Sequence, residues 1–214
     1  GLQDYLQMLT FISPSLRKTF EDHLLNTYKV KGEDFVYVEE GAGFGQALND
    51  LRGSLAKAKL YGIDIKDWVK DPKALKEALG PLDKMIKDGV ASAQAIKEKY
   101  IARITNPGYE FVLGDITDVE FPKAADLVTS FFVLQYLDDP LAAVANAFNQ
   151  LAQDGMLVMH LLLPSSEYAL YDFYETLAQD IRDQGASFEV YKGEQVGEYL
   201  DVVFVARLAG NKKI

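Results

Sequence analysis

The sequence predicts an α/β fold in which a largely parallel β-sheet is covered by helices on both faces. Three observations carry that expectation. Short β-prone runs alternate with helical segments along the chain. The strand runs are apolar at nearly every residue, as strands buried on both faces must be. A cluster of alternate glycines lies between the first strand and the next helix, where a βαβ unit turns and where such sheets bind ligands.

The elements follow in order. Residues 3–29 read as one or two N-terminal helices, with Leu6, Leu9, Phe11, Leu16, Phe20, Leu24 and Leu25 at mostly helical spacing. Ser13 before Pro14 starts the second of them. Phe35-Val36-Tyr37-Val38 is the first strand, and the helix after the glycines runs from Gln46 to Lys59. Leu60 to Ile65 is the second strand. Residues 71–104 read as helix, begun by Asp71-Pro72, restarted at Gly80-Pro81 and broken by Asn106-Pro107-Gly108. This helical extension, over 66–106, exceeds what one crossover needs. Tyr109 to Leu113 is the third strand and Ala125 to Ser130 the fourth, followed by a helix over Leu141 to Leu151. Met156 to Leu163 is the fifth strand, apolar except for His160. A helix over 165–184 precedes two final strands, Ser187 to Tyr191 and Asp201 to Leu208.

Composition narrows the function classes. A chain of 214 residues, 49% hydrophobic and 25% charged, is expected to form a single globular domain over 1–214, with residues 1–32 as its N-terminal helices. No apolar run reaches membrane-spanning length and no N-terminal stretch reads as a signal peptide, so a cytoplasmic protein with no membrane partner is expected. Cysteine is absent, which excludes disulfides, thiolate metal sites and cysteine nucleophiles. With only His23 and His160 present, no histidine metal site is expected either. A net charge of −10 works against a nucleic-acid partner.

The chemistry concentrates in Glu39-Glu40-Gly41-Ala42-Gly43-Phe44-Gly45 and in Asp64, at the end of the second strand and 19 residues beyond Gly45. Glycine lets the backbone turn tightly and approach a ligand, and an acid at Asp64 can accept both hydroxyls of a ribose. Any nucleoside cofactor fits this far. A dinucleotide fingerprint would place its third glycine three residues after the second, where this chain has Gln46. Glu39 and Glu40 beside the turn would also repel a diphosphate, whereas a cationic sulfonium with an ammonium group would be well served.

Glu39-x-Gly41-x-Gly43-x-Gly45 resembles the first motif of the class I S-adenosylmethionine-dependent methyltransferases. The likeness continues in order through Gly62-Ile63-Asp64-Ile65, Leu113-Gly114-Asp115-Ile116, the strand Ala125–Ser130, Val133–Pro140 and Leu151–Leu157, and covers roughly residues 33–163. It implies a Rossmann-like, seven-stranded, mostly parallel sheet with the last strand antiparallel. It also implies S-adenosylmethionine as cofactor, with S-adenosylhomocysteine (SAH) as product. By position, Glu39 would sit by the methionine end, and Gly41, Ala42, Gly43 and Gly45 would form the backbone turn there. Asp64 would bind ribose, Ile65 would pack on adenine, Asp115 would bind the adenine amine and the Ile116 amide the ring nitrogen. Phe131 is a further candidate for the pocket wall.

The sequence departs from that family at Glu40, usually aliphatic, at Phe44, usually small, at Gln135, often His, and at Asp154, usually Pro or Gly. An inactive methyltransferase-like cofactor-binding or protein-interaction relative is therefore an alternative, and a nicotinamide-dependent oxidoreductase a weaker one. Catalytic residues are not assigned; His160 as a general base and Tyr136 as a substrate contact are the candidates. Methyl transfer is an in-line displacement that alignment and desolvation can drive without a dedicated base. The expected partner is a small-molecule methyl acceptor, with a homodimer as a possible assembly.

Overall fold

The computed structural model describes residues 2–208. Its centre is a seven-stranded sheet in the order β3-β2-β1-β4-β5-β7-β6. The strands are β1 (Val36–Glu40), β2 (Lys59–Asp64), β3 (Glu110–Leu113), β4 (Ala125–Ser130), β5 (Leu151–Pro164), β6 (Ser187–Val196) and β7 (Tyr199–Arg207). Neighbours among β3, β2, β1, β4 and β5 run parallel, and β7 is antiparallel to both β5 and β6. The strand order reverses at β1, so a crevice opens at its carboxyl end beside β4.

Seven helices surround the sheet among the described residues: α1 (Leu2–Met8), α2 (Pro14–Lys31), α3 (Gln46–Leu51), α4 (Pro72–Lys87), α5 (Ala93–Thr105), α6 (Pro140–Asn149) and α7 (Ala169–Asp183). One face packs under α1, α2 and α3, where Tyr5, Phe20, Leu24, Leu48 and Leu51 meet Phe35, Tyr37, Leu127 and Val158. The other packs under α6 and α7, where Val144, Phe148, Tyr174 and Ala178 meet Val38, Ile63, Val128 and Phe204. The period-2 alternation of β1 thus sends Val36 and Val38 to one core and Phe35 and Tyr37 to the other.

The helix starts follow their caps. The Ser13 hydroxyl accepts the Leu16 amide at 3.3 Å, Asp71 accepts the amides of Lys73 and Ala74, and Asp139 accepts that of Ala142, each before a proline at the first helical position. Asp126 fixes the start of β1: its carboxylate accepts the Val36 amide at 2.9 Å and pairs with Lys31.

Four boundaries differ from the sequence expectation. Helix α3 stops at Leu51, and the chain continues to residue 58 in turns anchored by the buried Leu55. Gly53 and Ser54 lower the helical preference there, and the Asn49 amide is drawn across to the Arg103 carbonyl and the Gly108 amide. The extension does not restart at Gly80-Pro81, because α4 runs through both. A glycine before proline has no Cβ to clash with the proline ring. The break falls instead at Gly89, at φ +78°. Strand β5 begins at Leu151 rather than Met156, with an irregular register against Ala125 and Leu127 and Asp154 at φ +60°. Strands β6 and β7 extend towards each other as a hairpin turned at Gly197.

Helices α4 and α5 form the extension between β2 and β3. They are joined by a Lys97–Asp83 ion pair at 2.6 Å, and α5 is tied to α3 by the Arg103–Asp50 pair. Among the described residues no helix is long and apolar enough to cross a membrane.

Candidate functional site

The site lies at the carboxyl ends of β1, β2 and β4. Strand β1 ends at Glu40 and the chain turns through Gly41, Gly43 and Gly45, all at positive φ. The amides of Gly41 and Ala42 both donate to the Ile63 carbonyl, at 2.8 and 3.0 Å, so β2 anchors the turn. Two of these glycines are also demanded by space: a Cβ on Gly41 would collide with Val133, and one on Gly45 with the Tyr109 ring. The Gly43 amide donates to Asp64 Oδ2 at 2.9 Å, which fixes the acid relative to the turn.

A cavity of about 510 Å³ opens here, lined by Gly41, Gly43, Asp64, Ile65, Trp68, Ile116, Phe132, Val133, Tyr136 and Leu137. Its wall is mostly apolar, with Asp64 as the one carboxylate among its lining residues. Ile65 is exposed towards it and Ile116 is buried beneath it. Such a surface suits a flat aromatic group beside a hydroxyl-bearing one. Five of the residues singled out for cofactor binding, Gly41, Gly43, Asp64, Ile65 and Ile116, therefore meet in one cavity.

The others lie differently. Ala42 and Gly45 shape the turn from behind the cavity. Asp115 is exposed, and its carboxylate accepts the Thr117 amide at 2.9 Å and the Thr117 hydroxyl at 2.8 Å, which hold it below the usual carboxylate range. Phe131 points into the core under α1 and α2, edge-on to Phe11 at 5.2 Å. Its neighbour Phe132, at φ +59° and 48% exposed, takes the place in the cavity wall. Strand alternation explains the exchange, since adjacent residues at a strand end face opposite sides. Trp68, the sole tryptophan, also lines the cavity and was not anticipated. Its signal was its place, four residues after Asp64 on the segment leaving β2.

Glu39 and Glu40 are both buried and leave β1 on opposite faces. Glu39 turns towards α1–α3, near Tyr5, Tyr37 and Tyr109, with Oε2 unpartnered. Burial pushes its carboxyl up to about 8. Glu40 is 0% exposed, neither of its oxygens has a partner, and burial raises its carboxyl well above the usual range. A buried carboxyl without a donor favours its neutral form.

His160 is fully buried on β5 and bonded at both nitrogens. The Phe132 amide, which can only donate, reaches Nδ1 at 3.3 Å, so Nε2 carries the proton and donates to Asp201 Oδ1 at 2.7 Å. Burial lowers the His160 pKa, and Asp201 opposes the shift. The ring is flanked by Phe132 and Phe11 at 4.3 and 4.5 Å. This arrangement holds the Phe132 backbone and leaves no ring nitrogen free to take a proton from a substrate. Tyr136 stands at the cavity mouth, 82% exposed. Among the described residues no group of three or more His, Asp or Glu side chains is placed to hold a metal ion.

The model of a family described as a methyltransferase domain matches residues 38–159. No curated protein matches the chain. Among solved structures, it is similar to the N-methyltransferase NodS from Bradyrhizobium japonicum WM9, at 18% identity and TM-score 0.50, over 92% of this chain and 98% of that one. It is also similar to the plantazolicin methyltransferase BpumL, solved with a pentazolic desmethylPZN analog and SAH, at 12% identity and TM-score 0.55, over 92% of this chain and 86% of that one. At such identities the likeness is one of fold.

Proposed function

The chain belongs to the family of methyltransferase domains, and we propose that it transfers the methyl group of S-adenosylmethionine to a small-molecule acceptor. The observation that carries this reading is the bond from the Gly43 amide to Asp64 at the edge of an apolar cavity. It presents a positioned carboxylate where ribose hydroxyls would lie, with Ile65, Trp68 and Ile116 beyond it for adenine. S-adenosylmethionine supplies an electrophilic methyl group on a sulfonium. Gly41 and Gly43 let backbone approach the methionine portion, and Glu39, buried beside that turn, favours an ammonium over an anion. Phe132 and Val133 exclude water from the methyl end. The chain acts as one unit, with α1 and α2 closing the face on which Glu39 lies.

The same geometry disfavours a dinucleotide. A pyrophosphate needs free backbone amides at the turn, but the amides of Gly41, Ala42, Gly43 and Gly45 are already committed, to Ile63, Ile63, Asp64 and Ala42. One observation favours the second reading, a relative that has lost activity: Glu40, buried without a partner directly before the turn, burdens the strand that positions it.

Thermal unfolding with S-adenosylmethionine, SAH and NAD separates these readings. A ligand at a hundred times its dissociation constant stabilises by about 2.7 kcal/mol, which is roughly 5–10 °C for a domain of this size. A shift with both sulfur nucleosides and none with NAD is expected. No shift with either sulfur nucleoside refutes an active methyltransferase.

A further inference from the structure

A second cavity, of about 490 Å³, lies between the α1–α2 connection and the β6–β7 hairpin. Thr10, Phe11, Ser13, Arg17, Gly193 and Val203 are among its walls. Phe11 forms the wall towards the first cavity: its ring meets that of Phe132 edge-on at 4.9 Å, and Phe132 lines the first. His160 packs against both rings, at 4.5 and 4.3 Å, so the two cavities meet at one aromatic cluster, with Phe11 lining one and Phe132 the other.

The chemistry of this second cavity runs against that of the chain. The protein carries a net charge of −10, yet no acid lines the cavity, and Arg17 does. The Arg17 Nε is buried without a partner, and its Nη2 makes only a long, 3.5 Å bond to the Ile12 carbonyl. Among the described residues Arg17 forms no ion pair. The nearby acids are engaged: Glu189 accepts from the Tyr191 hydroxyl, and Asp201 from His160. Lys192 borders the cavity, but its ammonium lies over the Tyr171 ring of α7, at 5.7 Å. An unsatisfied guanidinium edge, in a pocket walled by Phe11, Ile12, Leu16 and Val203 as well as the hydroxyls of Thr10 and Ser13, matches one carboxylate, taken in the paired geometry that guanidinium favours.

We propose that this cavity takes the methyl acceptor, an apolar small molecule bearing a carboxylate, and that Arg17 recognises the carboxylate. The inference rests on the cofactor reading above, and the experiment keeps the two apart. Calorimetric titration first establishes SAH binding to the wild-type protein. The SAH-loaded protein is then titrated with phenylacetate and 3-phenylpropionate, and with benzylamine and phenethylamine as probes of equal shape and opposite charge. The acids are expected to bind and the amines not. Arg17→Met is expected to weaken the acids by about ten-fold or more, and Arg17→Lys by less, with thermal unfolding confirming that both variants fold. If SAH does not bind, the cofactor reading fails. If SAH binds but neither acid does, or Arg17→Met binds the acids as wild type does, this inference alone is overturned. Preferential binding of the amines also overturns it, and directs attention to the cavity on the opposite face, bordered by Asp138 and Glu167.

Discussion

Replacing Glu40 with leucine should stabilise the protein, and by more at high pH than at low pH. Glu40 is fully buried on the Val38 face of β1, and both carboxyl oxygens lack donors. Burying a neutral polar group unsatisfied costs about 1–3 kcal/mol. Because burial raises the folded-state pKa above the unfolded value of 4.5, the folded state binds the proton more tightly. The resulting contribution to stability is fully present below pH 4.5 and is lost as pH rises from there towards the folded value, at about 1.4 kcal/mol per pH unit. Leucine removes both costs and fills a comparable volume. At pH 5 the expected gain is about 1–3 kcal/mol, and at pH 7 it is larger. The pH 5 gain alone corresponds to a midpoint rise of roughly 2–12 °C for a chain of this length. Thermal unfolding of wild type, Glu40→Leu and Glu40→Gln at pH 5, 6, 7 and 8 reads it directly. Glu40→Gln should lessen the pH slope while keeping the polar penalty. A Glu40→Leu protein that is less stable than wild type at every pH would refute the reasoning and mean that the carboxylate has a partner.

Three further outcomes follow from the site. Glu39, pushed by burial to about 8, is mostly protonated at neutral pH; a cationic cofactor favours its charged form, so binding should release a proton and tighten from pH 6 to 8.5. Calorimetry in buffers of differing ionisation enthalpy checks this, and Glu39→Gln should abolish the release. Asp64→Ala removes the Gly43 anchor and the ribose acceptor together; two charge-assisted bonds at about 1.5–3 kcal/mol each predict at least a hundred-fold loss of SAH affinity by titration. His160→Leu strands the buried Asp201 carboxylate and should cost about 3–5 kcal/mol by denaturant unfolding, whereas adding Asp201→Leu should recover most of it. If the double variant is no more stable than the single, the pair is not the unit the geometry describes.

Much of the fold was legible in the sequence because its signals are local. The Ser13-Pro14 and Asp71-Pro72 starts, the alternate glycines and the apolar strands each announce themselves within a few residues. The errors arose where tertiary contacts decide. Asn49 is claimed by Arg103 and Gly108, more than fifty residues away, and α3 is cut short. Alternation past β4 puts Phe131 and Phe132 on opposite sides, but which of them faces the cavity is set with the Phe132 amide held on His160, a contact 28 residues away that no local pattern states. In the site, the order of motifs fixes which strand ends meet at the switch in strand order, and this brings Gly41, Gly43, Asp64, Ile65 and Ile116 to one cavity. Asp115 is not among that cavity's lining residues, and its carboxylate accepts the Thr117 amide and hydroxyl. The Asp201 partner of His160 was also out of reach, being 41 residues away and set by the register of β5 on β7.

Trp68, the sole tryptophan, lies in the wall of the first cavity and so reports directly on what enters it. The decisive measurement is its fluorescence during titration with SAH, with NAD as control. A saturable change with SAH, absent with NAD and lost in Asp64→Ala, is the predicted result. No change with SAH, or an equal change with NAD, would contradict the assignment of this cavity to S-adenosylmethionine.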